Sequence, residues 1–319
     1  MPLSYSQRFQ KLRVASSRRH GEAPYKPALL LAVLDGIAAG SIQDNHVEIT
    51  PELIAAFTAI CTDLGSSPHF TANNFALPFY HLTGDGFWHL HPWPGLELLL
   101  TKSGSVRSFR HLREVVAYAS LDAELWLLAQ QPAARAELQQ ALLTRYFPAT
   151  QHRFQPQAGK AALADIRRQM LEEPAAIYRT HVQPTNELDL NVRSGLFKRL
   201  VLQAYDHTCA ISGLKLISTR SSPASLLDAC HIVPWALSYD DTLPNGIALC
   251  PNLHRAFDRH LFHIDANYRV QVADSFRELG GPDYGIRRFH GQELRLPQEQ
   301  RAWPRVENLA KQAGTSQAI

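Results

Sequence analysis

The sequence predicts an α+β protein, in which a mainly helical N-terminal unit with a small sheet is followed by a helical linker and a smaller unit of strands and one helix. Three observations predict this class. Apolar segments near the start are bounded by Pro and Gly, an aromatic segment interrupts that pattern between residues 74 and 100, and the composition shifts to Gln, Pro and Ala from residue 149. At 319 residues, the chain has room for two domains.

Two helices of the first unit are predicted from the residues that begin and end them. In "PYKPALLLAVLDGIAAG", Pro27 suits a first helical turn and Gly40 a stop. In "TPELIAAFTAICTDLG", Thr50 is placed as an N-cap and Gly65 as the end. Aromatic, β-branched and turn residues from 74 to 100 predict short strands, with "TGDG" as a hairpin turn between them.

The second unit is predicted to run from a helix through two short strands to another helix. The helix "SGLFKRLVLQAY" comes first, followed by the strand "ACHIVPW", a turn and strand in "LPNGIALC", and the helix of "PNLHRAFDRHLF". We therefore divide the chain into a first unit, a linker with a short helix, a second unit and a C-terminal extension, at residues 1–148, 149–191, 192–290 and 291–319.

Composition argues against several classes of protein. The longest apolar run, "ALLLAVL", is far shorter than the ~18–20 residues that cross a bilayer. The first residues lack the apolar segment of a signal peptide, so a cytoplasmic location is expected. The four cysteines form no CxxC pair, which argues against a disulfide scaffold.

The basic residues are concentrated in two segments, although the formal net charge is only +3. Residues 11–26 hold five Lys or Arg and one acid, and residues 102–113 hold four and no acid. Such patches suit a polyanionic partner such as DNA, and they suit an ordinary solvated surface equally well.

Three polar residues, His231, Asn245 and His254, lie within 24 residues of one another and indicate a catalytic site. The predicted order of strand, loop, strand and helix allows the two imidazoles to face each other. A histidine of ordinary pKa suits a general base, and a neutral imidazole suits a metal ligand, which is the chemistry that phosphodiester hydrolysis needs. The Asn245 amide would fix the loop between the strands.

The words "HIVPW", "NGIALC" and "LHRAFD", with the lead-in "YDHTCAISG", resemble the HNH endonucleases of the ββα-metal superfamily over roughly residues 196–270. The resemblance implies a DNA endonuclease in which His231 is the general base, His254 binds a divalent cation, expected to be Mg²⁺ or Mn²⁺, and Asn245 holds the loop. Many relatives have a second metal ligand directly before the base, where this chain has Cys230. Asp228 shares a strand face with Cys230 and is the other candidate.

A structural zinc ion is the alternative use of these side chains. Cys230, His231, Cys250 and His254 would supply the right number and type of ligands. We do not expect it, because zinc-binding cysteines ordinarily lie two to four residues apart and Cys209 and Cys250 stand alone in the sequence. Beyond His254, Arg255 and Arg259 would either hold a DNA phosphate or form a solvated helix face.

The first unit resembles the sulfur-binding domain that precedes HNH domains in phosphorothioate-dependent restriction endonucleases. The words "APYKPALLL", "NNFALPFYHL", "DGFW" and "LLTRYFP" carry this resemblance over residues 8–148. It implies an apolar cup for sulfur, a charged group beside the modified phosphate, and a loop that reads bases. The residues in these places are Leu77, Pro78 and Tyr80 for the cup, Tyr25 and Lys26 for the phosphate, and Lys102, Ser103 and Arg107 for the loop.

A plainer interpretation of these residues places Leu77 and Pro78 at a strand end in the core and Tyr25 over a helix start. If these residues do form an apolar cup for sulfur, the whole chain is predicted to be a restriction endonuclease for phosphorothioated double-stranded DNA. It is predicted to use a single metal ion. Two other functions stay open, an HNH endonuclease directed to methylated bases and a non-catalytic DNA-binding protein stabilised by zinc. Cutting both strands needs two active sites or two visits by one site, so a homodimer is a candidate assembly.

Overall fold

The chain forms two units in the computed structural model, which describes residues 3–19, 21–65, 74–216, 226–279 and 285–316. The first unit comprises Met1–Asp165 with Thr185–Val192, and the second comprises Ile166–Pro184 with Arg193–Ile319. Among the described residues, no helix has both the length and the apolar character needed to cross a membrane.

Helices make up most of the first unit. Its helices are α1 (Tyr5–Phe9), α2 (Tyr25–Ala38), α3 (Pro51–Leu64), α4 (Ala76–His81), α5 (Phe109–Val115), α6 (Ala123–Gln130) and α7 (Pro132–Tyr146). Its strands are β1 (Ser16–Ser17), β2 (Gly21–Glu22), β3 (Trp88–Pro92) and β4 (Val116–Leu121), which pair as β1 with β2 and β3 with β4, both antiparallel.

The core of the first unit is built around α2, which packs against α3, α4 and α7. Every residue from Lys26 to Asp35 is buried, and this explains why the helix is apolar on all sides. Helix α3 begins where the sequence predicts, because the Thr50 side chain accepts a hydrogen bond from the Leu53 amide at 3.2 Å and Pro51 follows it.

The predicted hairpin at "TGDG" is wrong. Residues Leu82–Asp85 form a short 3-10 helix that continues α4, and β3 pairs with β4, with Trp88 opposite Leu121. Phe75, Phe79 and Leu82 are all buried at helical spacing, so this stretch buries its apolar side chains as a helix. Only one strand follows the turn, and its partner comes about thirty residues later.

The remaining elements lie in the second unit, except that the helices Ala158–Glu172 and Glu187–Ala204 each begin in the first unit. Helix α8 (Ala158–Glu172) precedes α9 (Ala175–His181) and α10 (Glu187–Ala204), so the segment predicted as a linker contains α8, α9 and the first residues of α10. The elements that follow are β5 (Asp228–His231), α11 (Trp235–Ser238), β6 (Gly246–Leu249), α12 (Pro251–Asp258), β7 (Phe262–Ile264), β8 (Val270–Val272) and α13 (Val306–Ser316).

Strands β5 and β6 pair antiparallel, with His231 opposite Gly246, and α12 packs against both strands. A Cβ atom on Gly246 would lie 2.4 Å from Val201 and 3.0 Å from Phe197, both on α10. The glycine therefore allows α10 to approach the sheet closely, and it brings the Phe197 ring to the end of β5.

Candidate active site

His231 ends strand β5 and is held by two contacts. Its Nε2 lies 2.9 Å from Oδ1 of Asp241, and its ring stacks on Phe197 with the centroids 4.0 Å apart and the planes 5° from parallel. Among the described residues, none hydrogen-bonds the other ring nitrogen, Nδ1. The ring is thus fixed in orientation through Nε2 and through one of its faces.

Asp241 belongs to the loop between β5 and β6, and it was not among the site residues predicted from the sequence. Its side chain is only 3% exposed, and Oδ2 accepts hydrogen bonds from Nε1 of Trp235 at 3.0 Å and from the hydroxyl of Tyr178 at 3.3 Å. Burial, followed by the charge of Asp241, raises the pKa of Tyr178, so its phenol remains a donor. The acids of "SYDD" after a short strand were the only sequence signal.

Asn245 is completely buried and connects the two ends of this loop. Its Nδ2 donates to the carbonyl oxygens of Val233 at 3.1 Å and Asp240 at 2.8 Å. Its Oδ1 accepts from the Val233 amide at 3.0 Å and from Nδ2 of Asn308 at 2.9 Å. Every hydrogen-bonding direction of the amide is therefore used in fixing the backbone between the strands.

His254 lies on the first turn of α12 between two carboxylates. Its Nδ1 is 3.1 Å from Oδ2 of Asp228, and its Nε2 is 3.5 Å from Oδ2 of Asp258. One ligand atom each from Cys230, His254 and Asp258 lie within 4.8 Å of one another, which forms a candidate metal group. Asp258 was missed in the sequence, although its position four residues after His254 places both on one helix face.

Cys230 and Asp228 share the face of β5 that is turned toward His254, as strand alternation requires. Burial, together with the nearby charges of Asp258 and Asp228, raises the pKa of the Cys230 thiol. A thiol, an imidazole and a carboxylate are donors that suit a divalent transition-metal ion better than Mg²⁺, which prefers oxygen. The residues present therefore fit a divalent cation, and they include two of the predicted ligands, His254 and Cys230, with Asp258 in the place where Asp228 was expected.

The two imidazoles lie on neighbouring elements but contact different partners. His231 is bound from α10 and from the loop that carries Asp241, whereas His254 is bound from β5 and from its own helix. No hydrogen bond among the described residues joins them. Each ring thus has its own supporting contacts. Among the described residues, no hydrogen bond between the rings holds them in the expected face-to-face arrangement.

Cys209 and Cys250 stand apart in the sequence, but the fold brings them together. The Cys250 amide donates to Sγ of Cys209 at 3.4 Å, and so does the Ser212 amide at 3.4 Å. The Cys250 side chain, together with these amide donors, lowers the pKa of the Cys209 thiol. Cys250 is therefore engaged with Cys209 and not with the Cys230 and His254 group, which disfavours the four-ligand zinc site.

The remaining predicted residues of this unit are on the surface. Arg255 and Arg259 are exposed and lie four residues apart along one side of α12 and its C-terminal end. Their guanidinium groups are accessible to a polyanion beside the His254 group.

In the first unit, the predicted sulfur-contact residues fall on the short helix α4 and at the start of α2. Leu77 and Tyr80 are partly exposed and lie three residues apart on α4, whereas Pro78 is buried. Tyr25 is partly buried and packs near Phe57, with the ring centroids 6.5 Å apart.

Lys26 does not present a free charge to solvent. Its Nζ lies 2.7 Å from Oδ2 of Asp85, and the two side chains are only 9% and 5% exposed. Burial, and then the positive charge of Lys26, lower the pKa of His81 at the end of α4. The start of α2 and the end of α4 are thus close together. The ammonium group of Lys26, however, already has a buried counter-ion in Asp85.

The loop predicted to read bases lies beside α4 and is exposed at its tip. His81 Nε2 is 3.0 Å from Oγ of Ser105, and Leu100 forms a bridge with Val106 that closes the loop. Lys102, Ser103 and Arg107 are all exposed. The structure therefore brings the cup residues and the loop residues to one region of the first unit.

Comparison with known proteins identifies a domain in each unit. Residues 209–265 match the family model described as HNH endonuclease, and residues 4–155 match the one described as ScoMcrA-like, DNA sulfur-binding domain. Both resemblances predicted from the sequence are confirmed. No curated protein matches the chain significantly.

Solved structures that are similar to the chain include two of ScoMcrA and one of TagI. The sulfur-binding domain of ScoMcrA complexed with phosphorothioated DNA is 22% identical, with a TM-score of 0.40, and the match covers 50% of this chain and 98% of that one. The Type IV phosphorothioation-dependent restriction endonuclease ScoMcrA is 14% identical (TM-score 0.37; 80% and 94% covered). The modification-dependent TagI restriction endonuclease is 21% identical (TM-score 0.28), and the chain spans 38% of its length. The domain assignment rests on the family models.

Proposed function

We propose that this DNA endonuclease, which joins an HNH endonuclease domain to a ScoMcrA-like DNA sulfur-binding domain, cleaves double-stranded DNA that carries phosphorothioate linkages. The observation that carries the proposal is the arrangement inside the HNH-matched range. There, an oriented histidine, His231, lies one residue from a group of metal-ligand type formed by Cys230, His254 and Asp258. The match to the sulfur-binding domain model on the same chain is the reason for proposing phosphorothioated DNA as the target.

His231 acts as the general base in this proposal. It takes a proton from the attacking water, whose oxygen bonds to phosphorus as the bond to the leaving sugar oxygen breaks. Asn245 keeps the loop between β5 and β6 in place through its four hydrogen bonds. These roles need only side chains that the fold already holds.

A single divalent cation would be held by His254 with Cys230 and Asp258. Asp228 would then orient the imidazole through Nδ1, in the manner of the carboxylates that support metal-bound histidines. When bound, the cation would offset the charge that develops on the phosphate. Mn²⁺ fits the mixed donor set better than Mg²⁺ because one of the donors is sulfur.

Selectivity for sulfur follows from hydration. A sulfur atom in place of a phosphate oxygen is larger and less strongly hydrated, and it accepts hydrogen bonds poorly. An apolar surface offered by the partly exposed Leu77 and Tyr80, without the buried Pro78, would disfavour oxygen, which would lose water without gaining donors. Because Lys26 is neutralised by Asp85, the positive charge for DNA comes from the exposed Lys102 and Arg107.

The sulfur-binding match favours backbone sulfur over a methylated base, which is usually flipped into a deep aromatic pocket. The HNH match argues against a non-catalytic, zinc-stabilised binding protein. Cleavage of both strands needs two active sites or two visits by one site, and in the first case a second copy of the chain would supply the other site.

The test uses two duplexes that are identical except for one phosphorothioate linkage. We expect the wild-type chain to bind the sulfur duplex more tightly and, with Mn²⁺, to nick it. The His231→Ala variant should bind both duplexes as the wild type does, while its cleavage rate falls at least about 10²-fold because the base is missing.

The matched control is His152→Ala, which removes an exposed histidine of the first unit. It should leave both affinity and cleavage unchanged. Equal affinity of the wild type for the two duplexes would end the sulfur proposal, and normal cleavage by His231→Ala would end the assignment of the base.

A further inference from the structure

We propose that Asp241 is a positioning residue that holds the Nε2 proton of His231 and so leaves the Nδ1 lone pair to accept the proton of the attacking water. This inference rests on the proposed role of His231 as the base. It goes further, because it names the reacting nitrogen and the residue that selects it. Asp241 itself does not touch the DNA or the water in this proposal.

The first support is the way in which the imidazole is held. Oδ1 of Asp241 lies 2.9 Å from Nε2, and the Phe197 ring covers one face of the imidazole at 4.0 Å with nearly parallel planes. Rotation of the ring by half a turn would move Nε2 away from the carboxylate and break this hydrogen bond. Only one ring orientation therefore satisfies both contacts.

The second support is the hydrogen bonding of the carboxylate. The indole nitrogen of Trp235 can only donate, and the Tyr178 hydroxyl is a donor as well, so Oδ2 of Asp241 must accept from both. A buried carboxylate with two such donors is best satisfied as an anion, since each donor stabilises the negative charge. Oδ1 is then also an acceptor, and the proton in the remaining contact must be on Nε2 of His231.

The third support is that the residues that hold Asp241 lie on different elements of the fold. Trp235 comes from α11 and Tyr178 from α9, so Asp241 is held from two different elements. The guanidinium of Arg193 lies 5.2 Å from the centre of the Tyr178 ring, which adds a further layer behind the phenol. Tyr178, Arg193 and Phe197 all lie outside the range that matches the HNH family model. The orientation of the base thus depends on parts of this chain that the family model does not describe.

The Asp241→Asn variant separates orientation from packing. The amide has nearly the same shape, but only its oxygen can accept the two hydrogen bonds from Trp235 and Tyr178. Its NH₂ group would then face Nε2 of His231 and donate to it. We expect this reversal to move the proton of the imidazole to Nδ1, which removes the lone pair that the proposed base needs.

The decisive measurement is a two-dimensional ¹H–¹⁵N spectrum of the full-length, metal-free chain labelled with ¹⁵N-histidine, in which the His231 signals are identified by their loss in His231→Gln. We expect wild-type His231 to be protonated at Nε2 and not at Nδ1, and Asp241→Asn to show the opposite form. This result does not depend on cleavage, so it is obtained even if the proposed DNA target is wrong.

Kinetics provide the second readout. With sulfur-modified DNA and Mn²⁺, Asp241→Asn should lower kcat by about 10²-fold and leave KM close to the wild-type value, because the base and not the DNA contact is affected. Asp206→Asn, the same chemical change at an exposed carboxylate of the second unit, should alter neither the spectrum nor kcat.

The proposal is overturned if wild-type His231 carries its proton on Nδ1, or if Asp241→Asn changes neither the proton position nor kcat. Should Asp241→Asn fail to fold, Trp235→Phe removes one donor to Oδ2 without altering charge. The wild-type spectrum alone still decides the protonated nitrogen. If the wild-type chain does not cleave sulfur-modified DNA but its spectrum shows His231 protonated at Nε2, the proposed function fails and the role of Asp241 stands.

Discussion

Buried polar side chains determine the geometry of the site at the level of single residues. His231, Asn245 and His254 were predicted from the sequence because their types and order are typical of a known family. Asp241 was not, because acids in loops are mostly exposed and nothing local shows that this one is 3% exposed. Asp258 was missed for a similar reason, since a carboxylate on a helix usually faces solvent.

Lys26 makes a second contact at this scale that the local sequence does not reveal. A lysine at the start of a helix suggested a phosphate contact, yet Asp85, fifty-nine residues away in the sequence, takes its charge. The amide of Arg13 also donates to Asp85, at 2.9 Å. A pairing between such distant residues leaves no signal in the local sequence.

We expect Asp85→Asn to destabilise the chain strongly. It leaves the buried ammonium of Lys26 without its counter-ion, which costs about 3 kcal/mol in the free energy of unfolding. Urea unfolding of the full chain, followed by the fluorescence of its tryptophans, measures this change.

The control is Glu114→Gln, which breaks the exposed ion pair with Arg110, whose side chains are 58% and 80% exposed. Its effect should be much smaller than that of Asp85→Asn, because exposed ion pairs are screened by water and contribute little to stability. Equal effects of the two substitutions would show that the Lys26 pair is not buried in solution.

At the scale of elements, local signals located the helices and short strands well. Pro51 and Thr50 predicted the start of α3, and Pro251 predicted the start of α12. The pairing of β3 with β4 could not be predicted, because the two strands are separated by α5 and a long loop and a strand pattern does not name its partner.

The C-terminal segment is the clearest case of an element whose role has no sequence signal. It was predicted only as an extension, and yet Asn308 of α13 donates to Asn245 at 2.9 Å. Arg305 donates to Oδ2 of Asp240 at 3.3 Å and to Oγ1 of Thr242 at 3.2 Å. The segment therefore helps to hold the loop that carries Asp241.

We expect Asn308→Ala to loosen this loop. It leaves the Asn245 oxygen with one fewer buried donor, which costs about 1–3 kcal/mol in the free energy of unfolding. Cleavage of sulfur-modified DNA should fall with it, because the loop also positions His231. Thermal unfolding and a nicking assay measure the two effects.

Arg301→Ala is the comparison for this segment, since Arg301 is exposed and pairs only with the nearby exposed Glu299 among the described residues. It should change stability and nicking little. A similar loss in both variants would mean that the segment as a whole, and not the contact with Asn245, matters for the loop.

At the scale of the whole molecule, each unit has its own core and its own predicted task. The family models match residues 4–155 and 209–265, which leaves residues 1–3, 156–208 and 266–319 outside both. These unmatched residues include Tyr178, Phe197, Arg305 and Asn308, which contact the site or its loop. Family resemblance thus predicted the reaction, whereas part of the support of the site lies outside the ranges that the family models match.

The central claim is that one chain recognises backbone sulfur and cleaves DNA with the His231 site. Its most direct test is digestion of two preparations of one plasmid, with and without phosphorothioate linkages, in Mn²⁺ and in excess chelator. We expect nicking or linearisation of the sulfur-containing plasmid in Mn²⁺ alone, with the ordinary plasmid intact throughout. Cleavage of both plasmids at equal rates, or of neither, would contradict the account.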